Sequence, residues 1–152
     1  HHTGVCIDAE AYRSRFRVGA ALLLEDGTII SGANVENASY GSLVSEADIG
    51  ATICAERTAI LKKVTSAGIE KKCIVAVAVT SDAPTPCTPC GVCRQVLREF
   101  CSQDMPLLMP PQEWSASGTP GDLAENDVLT TTLAELLPLS FGPDVLRIES
   151  NS

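Results

Sequence analysis

Two periods of apolar residues alternate along the chain. Val18-Gly19-Ala20-Ala21-Leu22-Leu23-Leu24 is a continuous apolar run of strand length. Glu25-Asp26-Gly27 follows with the turn-forming Asp-Gly pair, and Thr28-Ile29-Ile30-Ser31-Gly32-Ala33 predicts the returning strand of a hairpin. Ala55 to Val64 is rich in helix formers, with Gly68 as a stop. Cys73 to Val79 is the longest apolar run and predicts a buried strand. Further on, Cys93, Val96, Leu97, Phe100 and Cys101 recur at i, i+3, i+4, i+7, i+8, the stripe of an amphipathic helix that starts after Pro89. Leu107-Leu108-Met109 predicts a short strand, residues 110–127 a loop, and Thr131 to Leu137 a short helix stopped by Pro138. An opening hairpin followed by strand–helix alternation predicts a mixed sheet with helices on its faces and right-handed crossovers.

The 152 residues suit one domain with a sizeable core, taken as 1–152. No apolar run reaches membrane-spanning length, which excludes a spanning helix. Net charge is −8, which disfavours a polynucleotide-binding surface and favours a small neutral substrate. Seven cysteines, three of them at metal-ligand spacing, favour zinc in a reducing compartment, the cytoplasm, over a disulfide framework. No secretory signal is visible, and the opening His1-His2 leaves a tag remnant and a truncated N-terminus open.

The chemistry concentrates in Cys54-Ala55-Glu56 and Pro89-Cys90-Gly91-Val92-Cys93. Three thiolates can hold Zn²⁺ and leave a fourth position for water. A carboxylate two residues from the first ligand can then handle that water's proton. Cys54 and Glu56 would point apart in mid-helix, so they converge only in an irregular first turn. That sets two helix N-termini at one site, where free N–H groups favour thiolate. Arg57 and Arg94 would help to offset the negative charge. Taken singly, each residue has a bland reading: a structural zinc pair or redox pair for Cys90/Cys93, a small core residue for Cys93, a solvated residue for Glu56. Together, three ligands plus an acid describe a catalytic centre, with Cys87 set aside as structural because Pro89 separates it from the helix.

These motifs resemble the cytidine deaminases of the small, homotetrameric, all-cysteine zinc type. The resemblance runs from Phe16 to Leu146. It is carried by Phe16-Arg17-Val18-Gly19-Ala20-Ala21-Leu22, Asn34-Val35-Glu36-Asn37-Ala38-Ser39-Tyr40, the two cysteine motifs, and Leu136-Leu137-Pro138-Leu139-Ser140-Phe141-Gly142-Pro143. It implies a three-layer α/β/α sandwich with a mixed five-stranded sheet. It implies one Zn²⁺ per chain on Cys54, Cys90 and Cys93, Glu56 as catalytic proton shuttle, and Arg57 supporting the thiolates. Substrate contacts would come from Phe16, Asn34, Glu36, Ala55 and Phe141, with Asn34 and Glu36 on the ribose hydroxyls and Phe141 stacking on the base from a neighbouring subunit. The implied reaction is hydrolytic deamination of cytidine and 2′-deoxycytidine to the uridine products in pyrimidine salvage.

The chain departs from the family pattern in three places. Ser42–Gly50 is an apparent insertion between the Asn34 block and the first zinc motif, and reads as a bulge, a lid or an inactivating defect. Tyr12-Arg13-Ser14-Arg15 stands where relatives carry Pro-Tyr-Ser, and the opening helix is short or missing. Three rivals follow: a deaminase of another small base, a non-catalytic zinc protein, and a polynucleotide editor.

Overall fold

The computed structural model describes residues 15–36, 52–66, 73–111 and 128–146. These build a five-stranded sheet in the order β2-β1-β3-β4-β5, from β1 (Val18–Leu24), β2 (Ile29–Ala33), β3 (Ile74–Ser81), β4 (Pro106–Met109) and β5 (Leu129–Thr132). The sheet is mixed: β3 and β4 run parallel, and the other pairs are antiparallel. The α/β class and the mixed five-stranded sheet are those expected.

The β1–β2 connection is one residue longer than a two-residue Asp-Gly reversal. Gly27 N–H bonds to the Leu24 carbonyl, Leu24 N–H bonds to the Thr28 carbonyl, and Gly27 sits at φ 83°. That is a three-residue loop, a type I turn closed by a left-handed residue, which glycine adopts without steric cost.

In register, Ala20 faces Val79, and Leu22 faces Val77 and Ile30. This face is buried together with Ala55, Ala59 and Ile60 of α1 (Ala55–Ser66) and Leu97 of α2 (Gly91–Phe100). Gly32 lies against α1 so closely that a Cβ there would collide with the Ala55 carbonyl and the Ala59 N–H. On the other face Ala21, Leu23, Ala76 and Ala78 stay partly exposed among the described residues.

Two expectations change. Thr131 does not begin a helix: Leu129–Thr132 is the fifth strand, and α3 (Leu133–Leu136) starts directly after it. Thr132 closes the strand and caps the helix, accepting from Glu135 N–H while Glu135's carboxylate accepts from the Thr132 N–H. The predicted stripe of α2 is also displaced. Cys93, Leu97 and Cys101 are buried, but Phe100 is exposed and Arg98 takes a buried place instead. A final turn, α4 (Pro143–Leu146), was not predicted. The Ser42–Gly50 segment, the opening residues before Arg15, the Gly68 stop and most of the 110–127 loop lie outside the described residues. No helix among the described residues is long and apolar enough to cross a membrane.

Candidate active site and metal centre

The two helices deliver their N-termini to one point. Cys90 is the N-cap of α2, with its carbonyl accepting from Arg94 N–H at 2.9 Å. Cys54 holds the matching place before α1, its carbonyl accepting from Thr58 N–H at 3.0 Å. Cys93 lies three residues into α2, buried. The Cys54, Cys90 and Cys93 sulfurs all fall within 4.8 Å of one another, and Cys54 Sγ is 3.9 Å from Cys90 Sγ. Cys87 is not in this cluster; its thiol turns to the Thr88 carbonyl at 3.9 Å.

Electrostatics follow from this crowding. The Cys54 thiol is pushed well below its ordinary range, first because Cys93's thiol hydrogen-bonds to it and then because Arg57 faces it. The same contact, with burial, pushes Cys93 up. Three sulfurs this close cannot all ionise without a cation between them. Arg57 donates through one nitrogen to Cys54 Sγ at 3.5 Å and to the Thr52 carbonyl at 3.1 Å. Arg94 does not share that role. Its three nitrogens go to the Pro89 carbonyl, the Leu136 carbonyl and Thr88 Oγ1.

Glu56 is only 3% exposed at the second position of α1. Burial raises its carboxyl above the ordinary carboxylate range, and the Cys54 charge adds to the rise. A buried carboxyl beside a cysteine cluster is a candidate proton-transfer group. Ala55 between them is fully buried under Gly32.

Residues 4–109 match the model of the family described as the cytidine and deoxycytidylate deaminase zinc-binding region. The chain belongs to that family. It is 42% identical over 128 residues to the cytidine deaminase of Halalkalibacterium halodurans, covering 84% of this chain and 79% of that protein. It is 43% identical over 133 residues to that of Sporosarcina psychrophila, covering 88% and 80%. The crystal structure of cytidine deaminase from Burkholderia pseudomallei superposes with a TM-score of 0.67 at 34% identity, covering 88% of each chain.

The metal of this deaminase centre is zinc, and the donor set fits it. Sulfurs on a tetrahedral zinc at about 2.3 Å stand about 3.8 Å apart. The 3.9 Å between Cys54 and Cys90 is already that spacing.

The remaining predicted residues lie on segments tied by hydrogen bonds to Ile53, to β1 and to α2. Val35 and Ile53 exchange two backbone hydrogen bonds of 2.9 and 3.0 Å, which ties the Asn34–Glu36 segment to the residue just before Cys54. Asn34 is buried, Val35 exposed and Glu36 half-buried, so Asn34 and Glu36 share a face as their i, i+2 spacing requires. Asn34 has a structural duty that sequence reasoning missed. Its side-chain oxygen accepts from Val18 N–H at 2.9 Å, and its amide donates to the Phe16 carbonyl at 3.0 Å. This uses one of its two N–H groups and one of two lone pairs. Arg17 next to Phe16 is clamped to Asp82 through two guanidinium nitrogens and two backbone bonds. Phe16 is 38% exposed and Phe141 59% exposed. Gln95 of α2 holds the Phe141 carbonyl at 2.9 Å.

Proposed function

We propose that this chain is a cytidine deaminase that hydrolyses the 4-amino group of cytidine and 2′-deoxycytidine, releasing ammonia and the uridine nucleoside. The observation that carries the reading is Glu56, buried beside a three-cysteine cluster two residues from Cys54. A structural zinc site wants a fourth protein ligand and has no use for such a carboxyl. When bound, zinc acidifies a water and so supplies the nucleophile. Glu56 would take one proton from the attacking water and hand it to N3 of the pyrimidine as C4 is attacked, then take the second from the new C4 hydroxyl and deliver it to the departing amine. Atoms balance as nucleoside plus water giving uridine nucleoside plus ammonia.

In this reading Cys54, Cys90 and Cys93 are the ligands, and Arg57 restrains Cys54. Asn34 and Glu36 hold the sugar hydroxyls, with Asn34 doing so from a carboxamide already braced against the backbone of Phe16 and Val18. Phe16 and Ala55 line the substrate side. Phe141 stacks on the base in a neighbouring subunit of a homotetramer. Its exposure, with that of Leu139 and Val92, supports a subunit contact there. The reading extends to a single domain acting in cytoplasmic pyrimidine salvage, where a reducing environment keeps thiolate ligands free.

Purified, zinc-replete protein assayed on cytidine, 2′-deoxycytidine and free cytosine tests the reading. Turnover of both nucleosides with little on cytosine is expected. Preference for cytosine would contradict the sugar-binding role of Asn34 and Glu36, and no turnover of any would favour a non-catalytic zinc protein.

A further inference from the structure

We propose that Arg98 is a positioning residue for the reaction, holding Phe141 in the pose in which it meets the base. The inference rests on the stacking role of Phe141 given above.

Arg98 sits in α2, five residues after Cys93, and its side chain is only 8% exposed. A guanidinium is not buried without partners, because desolvation would be costly. The partners converge from one short segment. Arg98 Nε donates to Ser140 Oγ at 3.2 Å, and another guanidinium nitrogen pairs with the Asp144 carboxylate. With the Gln103 amide turned to suit its neighbours, its oxygen also accepts from Arg98, at 3.1 and 3.2 Å. Gly142 lies directly on the guanidinium, so that a Cβ there would run into it. Residues 140 to 144 are therefore wrapped around one fixed cation.

Phe141 is the residue in the middle of that wrap. Ser140 before it and Gly142 after it are both set against Arg98. Its own carbonyl is held by Gln95, one α2 position after Arg94, which in turn holds the Leu136 carbonyl. The backbone is thus held on both sides while the ring is left 59% exposed. Just upstream, Leu139 is fully exposed in the left-handed region, φ 54°, a conformation that a leucine keeps only where the flanks impose it. Among the described residues the segment has no sheet partner to order it. Arg98 supplies that order, and it does so from the helix that carries Cys90 and Cys93. An aromatic fixed in its stacking pose before substrate arrives loses less freedom on binding than a mobile one. The planar fork of arginine, which can meet a carboxylate and a hydroxyl at once, is what the wrap uses.

Steady-state kinetics on cytidine test this with Phe141→Ala, Arg98→Met, Asp144→Asn and the double variant Arg98→Met/Phe141→Ala. Losing a stacked aromatic typically weakens binding on the order of ten-fold, so Phe141→Ala should raise KM by about that factor with kcat little changed. Arg98→Met should raise KM in the same way, and Arg98→Lys should not restore it. The double variant should be no worse than Phe141→Ala alone, since both changes remove the same contact. Asp144→Asn removes a partner 67% exposed in its side chain and leaves the helix intact, so it reports even if Arg98→Met does not fold. A rise in its KM with unaltered zinc content supports the proposal. Wild-type KM in Asp144→Asn and in folded Arg98→Met, beside a raised KM in Phe141→Ala, would overturn it. So would effects that add in the double variant. Wild-type KM in Phe141→Ala would instead remove the stacking role itself, and this inference with it.

Discussion

Cys54 and Glu56 stand at one point because Cys54 holds the cap position before α1 and Glu56 is the helix's second residue. The carboxyl is buried at the metal cluster, and the thiol before it is held by Arg57. Replacing a ligand should therefore differ sharply from replacing a neighbour. Metal analysis of Cys93→Ala should show zinc lost, while Cys87→Ala should keep both zinc and activity, because its thiol lies outside the cluster. Zinc loss in Cys87→Ala would mean a four-cysteine structural site. This much was legible in the residues, since the ligand spacings are local. The brace that Asn34 gives to Phe16 and Val18 was not, because it joins residues 18 and 16 positions apart through bonds with no local pattern. Arg98 was hidden for another reason. A charged residue beside an apolar stripe reads as solvated, and only its partners around Phe141 explain its burial.

The elements that position the site have clear physical limits. β2 must approach α1 without a side chain at Gly32, so Gly32→Ala should overpack the sheet–helix contact. A loss of about 1–3 kcal/mol is expected, read as a lower unfolding midpoint. An unchanged midpoint would mean that α1 can withdraw freely. Val35 and Ile53, which flank residues 37–51 in the sequence, are paired through two backbone bonds. Closure entropy changes only about 0.6 kcal/mol per doubling of loop length. Deleting Ser42–Gly50 should then leave zinc content unchanged and shift KM modestly. Zinc loss would show that the segment is structural. Large activity gained over a nearly dead parent would make the natural chain an impaired enzyme. β1, β3 and α2 were legible because their patterns are long or strongly periodic. β5 was not: Leu129-Thr130-Thr131-Thr132 is a short edge strand without alternation, and its last residue also caps a helix. The Thr132-x-x-Glu135 capping box was the available signal, and it sets the helix start at Leu133 rather than Thr131.

At the scale of the whole molecule, α1 and α2 meet at the cysteine cluster, and the Asn34–Glu36 segment is tied to Ile53 beside it and to Phe16. In the proposed reading Phe141, exposed on its own subunit, completes the site of a neighbour. Sedimentation should find a tetramer, and an active monomer would contradict the assigned role of Phe141. The proposed reaction needs the buried Glu56 carboxyl as well as the metal cluster. Glu56→Gln tests it most directly, with zinc content and cytidine turnover measured on the same preparation. Full zinc occupancy is expected, with turnover reduced by about 10⁴-fold or more, the upper end for a general acid–base serving two proton transfers. Near-wild-type turnover with zinc in place would contradict it.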